Sequence, residues 1–133
     1  MKMLPENKQI FIVDDDDSVC RALSILLGTY GFAVDTFLCA EKFFQAVPNS
    51  VSGCLLLDIH MPSLDGWETL QHLIESGSTR AVILISAEKN NGLSEKAKKA
   101  GAVGFLQKPF NGQALVDLIN IAFEKTAQSG QEN

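Results

Sequence analysis

No stretch of this 133-residue chain approaches the ~18 consecutive apolar residues that a membrane-spanning helix needs, so no membrane partner is expected. Cysteine is scarce: Cys20, Cys39 and Cys54 are odd in number, widely spaced and form no CxxC pair. That argues against a disulfide framework and for reduced thiols in a cytoplasmic compartment. Basic charge is in deficit, with 11 Lys and Arg against 16 Asp and Glu for a net −5. Such a chain is a poor candidate for gripping nucleic acid or an anionic membrane directly. Behind Lys2 there is no long apolar stretch of the kind a secretory leader carries. What remains is 46% apolar and 20% charged residues, the balance of one globular domain with a core of its own.

Short apolar runs punctuate the chain: Ile10 to Val13, Cys54 to Leu57 and Val82 to Ile85 are continuous and rich in branched residues, as strands covered on both faces are. Phe32 to Phe37 and Val103 to Leu106 are interrupted by Asp35 and Gly104 and suit sheet edges. Between them lie five stripes at helical spacing: Val19, Leu23, Leu26, Leu27 and Tyr30; Ala40, Phe43, Phe44 and Val47; Trp67, Leu70 and Ile74; Leu93, Ala97 and Ala100; Leu115, Leu118, Ile119 and Ala122. Asp17 or Ser18 is expected to cap the first helix, and Asp65 with Glu68 forms a capping-box pattern before the third. Strand alternating with helix predicts an α/β fold with a parallel sheet and helices on both faces. Residues 9–125 form the domain, preceded by an extension at 1–8 and followed by a polar, frayed tail at 126–133.

In such a sheet, chemistry gathers where the strands end. The first strand runs into Asp14, Asp15, Asp16 and Asp17, the third into Asp58, the fourth into Ser86 and the fifth into Lys108. Asp16 and Asp17 read as a solvated charge run. Asp14, Asp15 and Asp58 terminate buried strands, where carboxylates held close must repel or take up protons unless a cation sits among them. A hard divalent ion resolves this, and Mg2+ is the commonest. Lys108 either neutralises an aspartate or waits for a phosphoryl group, and Ser86 becomes a hydrogen-bond donor in that company.

Together these residues resemble the receiver domain of two-component response regulators, over about residues 9–125. The resemblance rests on Ile12-Val13-Asp14-Asp15, on Leu57-Asp58-Ile59-His60-Met61-Pro62 with Asp65-Gly66, on Ile85-Ser86-Ala87, and on Gly104 to Phe110. It implies a flavodoxin-like (βα)5 sandwich with a five-stranded parallel sheet in the order 2-1-3-4-5. It implies that Asp58 takes a phosphoryl group from a histidine kinase or phosphotransfer protein. Mg2+ would be held by Asp15, Asp58 and the His60 carbonyl, with Asp14 acting through water. Lys108, Ser86 and the Ala87 amide would contact the phosphoryl oxygens. Ser86 and Phe105 would form the switch, the Lys108–Pro109 peptide would be cis, and the domain would catalyse only its own phosphorylation and dephosphorylation. An output domain or downstream protein, or a homodimer, would use the fourth helix, fifth strand and fifth helix.

Some positions stay open. The His60 ring is read first as solvated, with pairing to Glu88 across the site mouth as the alternative. Phe105, lacking a hydroxyl, either switches by burial and rotamer alone or packs inward permanently. The fourth helix begins in the polar run Lys89 to Gly92 and reads as weak. Val116, Ile121 and Phe123 flank the fifth helix as packing or partner surface. His72 reads as a surface residue, Trp67 as a packing anchor, and the cysteines as small core residues. Two rivals share the fold class. A haloacid-dehalogenase-like phosphatase would use Asp14 as nucleophile and Asp16 as general acid, but leaves Asp58 without a task. A flavodoxin-like cofactor binder would need a phosphate cradle where four aspartates stand.

Overall fold

The structure, a computed structural model, describes residues 8–89 and 92–131. Its elements alternate strictly: β1 (Gln9–Val13), α1 (Asp17–Thr29), β2 (Ala33–Phe37), α2 (Ala40–Ala46), β3 (Cys54–Asp58), α3 (Gly66–Glu75), β4 (Ala81–Ser86), α4 (Leu93–Lys99), β5 (Gly104–Gln107) and α5 (Gly112–Gln131). All four strand pairings are parallel and the order is β2-β1-β3-β4-β5, as the resemblance implies. The two weak runs are the edges. Among the described residues no helix is long and apolar enough to cross a membrane.

The period of two along each strand divides the core between the sheet's faces. Phe11, Val13, Leu55, Leu57, Val82 and Leu84 meet Ala40 and Phe43 of α2, Leu70 and Leu73 of α3, and Ala97 of α4. Ile10, Ile12, Cys54, Leu56, Ile83 and Ile85 meet Cys20, Leu23 and Leu27 of α1 and Leu115, Val116, Ile119 and Ala122 of α5. Both faces of the central strands are thus apolar, which is why those runs read as continuous rather than alternating.

Several helix faces are rotated from the expected stripe. On α1, Cys20 is buried while Tyr30 is 47% exposed, because Tyr30 lies past the last helical residue, Thr29. On α3, Leu73 is buried and Ile74 is half exposed, the core face being set by Gly66, Thr69, Leu70 and Leu73. Val116 belongs to the core rather than the flank. The cap of α1 is neither Asp17 nor Ser18 but Asp16, whose carboxylate accepts from the Ser18 and Val19 amides; so Asp16 is not merely solvated charge. The expected capping box of Asp65 and Glu68 is present in both directions. Helix α5 continues to Gln131 through most of the segment expected to fray. Asn90 and Asn91, which the weak reading of α4 included, lie outside the described residues; the observed α4 has seven residues and no side-chain cap. Trp67 is half-buried against the first core with the Lys96 ammonium 4.3 Å from its ring, and exposed His72 lies beside the Phe44 ring. The three cysteines are unpaired, and burial pushes the thiols of Cys20 and Cys54 up to about 11 and about 12.

Candidate functional site

The strand order does the assembling. Because β1 lies directly beside β3, the residues that follow Val13 and end β3 emerge at one rim, and carboxylate oxygens of Asp14, Asp15 and Asp58 all lie within 4.8 Å of one another. Asp14 is wholly buried and Asp58 nearly so, whereas Asp15 faces solvent. Asp14 continues the β1–β2 ladder through its amide to Phe37 O, 3.1 Å. One carboxylate oxygen accepts from the Asp16 amide at 3.0 Å, and the other accepts from Lys108 Nζ at 2.8 Å. Lys108 also stands 3.7 Å from Asp58 Oδ1. It follows the edge strand β5, separated from β3 by β4, so its long stem spans the intervening strand. The Lys108–Pro109 peptide is cis.

The electrostatics are those of a crowded anionic pocket. Burial first, and then the Asp14 charge, push the Asp58 carboxyl up to about 6, with Lys108 pulling the other way. Burial disfavours the charge on Lys108, yet the hydrogen bond and charge of Asp14, with Asp58 and Asp16, outweigh it and hold its ammonium above its ordinary value. Three carboxylates and one ammonium leave a net charge of −2, which a divalent cation would balance. Clustered carboxylate oxygens are also the donor set a hard cation takes. The site therefore fits a metal such as Mg2+ on charge and donor chemistry alike.

Around this centre, Ser86 is buried at the end of β4, its hydroxyl accepting from the Glu88 amide at 3.0 Å. Ala87 follows it on the surface. His60 is not simply solvated: its ring is exposed, but Nε2 lies 2.7 Å from Glu88 Oε1, joining the loop after β3 to the loop after β4. Phe105 is half-buried against the core beneath α2, α3 and α4. The sequence drew no attention to Glu41 and Ser63, whose side chains meet at 2.7 Å in the loop leading away from Asp58; no local pattern links positions 22 residues apart.

The family described as the response regulator receiver domain matches residues 10–120. The chain belongs to that family. This receiver is 39% identical over 119 residues to the response regulator protein TodT of Pseudomonas putida, covering 90% of the chain and 52% of that protein. It is 33% identical over 129 residues to the transcriptional regulatory protein FixJ of Azorhizobium caulinodans, covering 97% of the chain and 61% of FixJ. The receiver thus spans about half the length of the curated relatives it resembles. Among solved structures it superposes on the response regulator StyR with a TM-score of 0.87 at 37% identity, over 95% of this chain and 64% of that one. On FixJ-N the score is 0.82 at 32% identity, over 90% and 96% of the two chains. The rival phosphatase reading needed Asp16 as a general acid, but in this receiver that carboxylate is engaged at the start of α1. The chain is a receiver of a two-component response regulator, a signalling module.

Proposed function

We propose that Asp58 is the phosphoacceptor, and that the observation carrying this is its position: nearly buried at the end of β3, with Lys108 3.7 Å away and Asp14 and Asp15 alongside. An Asp58 carboxylate oxygen attacks phosphorus as the bond from phosphorus to the donor histidine breaks, giving an acyl phosphate and the free imidazole. Asp15, Asp58 and the His60 carbonyl would hold Mg2+, with Asp14 reaching it through water; when bound, the ion supplies charge neutralisation at the transferring oxygens. Lys108 exchanges part of its contact with Asp14 for a phosphoryl oxygen, and Ser86 and the Ala87 amide donate to the others. The chain catalyses this self-modification and its hydrolysis, and turns over no separate substrate.

An apolar groove of about 470 Å³ beside Lys108, lined by Val19, Ala22, Leu23, Ala87, Pro109 and Phe110, supports docking of the histidine kinase or phosphotransfer protein there. A second groove of about 530 Å³, lined by residues including Lys98, Phe105, Leu118 and Ile121, supports the reading of the α4–β5–α5 face as the surface for an output domain, a downstream protein or a second receiver. Ser86 and Phe105 link the two sites as the switch. The place of action is the cytoplasm, a reading supported by three unpaired thiols.

Incubation with acetyl phosphate and Mg2+ followed by intact-mass measurement tests the proposal. The wild-type chain gains one phosphoryl group and Asp58→Ala gains none; an equal gain in both would remove Asp58 from the role. The His60–Glu88 pair bridges the mouth through which hydrolytic water approaches. His60→Ala is accordingly expected to speed loss of the phosphoryl group several-fold, roughly 1 kcal/mol in barrier, and an unchanged decay rate would show that the ring takes no part.

A further inference from the structure

Among the described residues, Ser63 is the one non-glycine residue at positive φ, at 73°. A β-carbon makes this left-handed conformation unfavourable, so a serine stays there only where its surroundings hold it. Its hydroxyl donates to Glu41 Oε2 at 2.7 Å, and that bond holds the Glu41 carboxyl below its ordinary range. Glu41 lies in the first turn of α2, between Ala40 and the neighbouring Phe43, both wholly buried, so its backbone is carried by an element anchored in the core.

Ser63 stands in the loop joining β3 to α3. The ends of that loop are fixed: the Ile59 amide donates to Ile85 O at 2.9 Å, the Gly66 amide donates to Ile59 O at 2.8 Å, and Asp65 closes its capping box. Between them run residues 60–64, which carry the His60 carbonyl and have buried Met61 as their apolar anchor. The Ser63–Glu41 bond ties this middle stretch to α2.

We infer that Glu41 is a positioning residue for the metal site: by holding Ser63 in the left-handed conformation, it keeps the loop in the shape that presents the His60 carbonyl beside the Asp58 carboxylate. This rests on the metal reading given above. It is tested by titrating the unphosphorylated full chain with Mg2+ and following the backbone amide NMR shifts of Asp58 and His60. If loss of the bond leaves the loop competent about a fifth of the time, Glu41→Ala raises the apparent Kd about fivefold. Ser63→Ala, which removes the hydroxyl from the other side, gives a similar loss. Glu41→Gln keeps an acceptor and stays near wild type. In Ser63→Gly, where positive φ needs no such bond, adding Glu41→Ala changes nothing further. An unaltered Kd in Glu41→Ala, or the same loss in the Ser63→Gly background, would overturn the inference. Absence of any Mg2+-dependent shift in the wild-type chain would instead remove the metal site itself, so the two failures are distinguishable.

Discussion

Asp58 is held in an environment that resists its charge: burial and Asp14 raise its carboxyl from 3.8 to about 6. In the metal-free chain the folded state keeps this proton through a window in which the unfolded chain releases it. Stability therefore falls as pH rises from about 4 to about 6 and stays lowered at neutral pH. Asp58→Asn removes the charge while keeping the shape. It is expected to stabilise the metal-free protein at pH 7 by about 1 kcal/mol, the full effect of the shift being discounted for solvent screening. Urea denaturation without Mg2+ measures this, and the gain shrinks towards zero near pH 4 if the shifted carboxyl is its source. The opposite device stands nearby in Asp16. Hydrogen bonds from Ser18 and Val19 hold its carboxyl below the ordinary value, so its contribution is present at neutral pH and is lost as pH falls through the folded value.

At the scale of elements, the start of α3 is fitted to the end of β3. A β-carbon on Gly66 would stand 2.7 Å from both the Asp58 carbonyl oxygen and the Ile59 Cα, backbone atoms that cannot turn aside. Only glycine lets the helix begin so close beneath Asp58. Gly66→Ala is expected to cost about 2 kcal/mol of stability, as other overpacked sites do, and to slow phosphorylation by shifting Asp58. Paired urea denaturation and acetyl phosphate kinetics check both effects, and a fully stable, fully active variant would contradict the close fit. The other end of the proposed signalling path is looser. Helix α4 has seven residues, begins at Gly92 with no side-chain cap, and buries only Leu93 and Ala97, so displacing it breaks few apolar contacts. The Lys96 ammonium over the Trp67 ring is one of the contacts that join it to α3.

For the whole molecule, one sheet separates two tasks. Its carboxyl rim gathers the acids and Lys108, while the α4–β5–α5 face carries a groove with Ile121 44% exposed and Lys98 and Lys125 beside it. Under the proposed function, a phosphoryl group on Asp58 adds about −1.5 to −2 charge at the rim, which the fold would turn into a change on the other surface. Beryllium fluoride, a phosphoryl mimic, is therefore expected to shift the monomer–dimer equilibrium measured by sedimentation, and Ile121→Glu to suppress that shift. An unchanged equilibrium would count against dimerisation through this face.

The strand–helix alternation, the buried central strands, the weak edges and the acids at strand ends were legible from the chain because each is a local matter of periodicity, branching and where an apolar run stops. The resemblance supplied the strand order, which no local pattern contains. Faces such as Cys20 against Tyr30, or Leu73 against Ile74, were decided by tertiary packing, since a helix's rotation depends on what it lies against. So was the capping role of Asp16, one of four consecutive aspartates equally able to cap until the chain direction into α1 is fixed. The Lys108–Asp14 contact, the His60–Glu88 bridge and the Ser63–Glu41 bond join residues far apart in sequence. Only the folded sheet and its loops bring such partners within hydrogen-bond reach, because side-chain contacts depend on distance in space and leave no periodic trace along the chain.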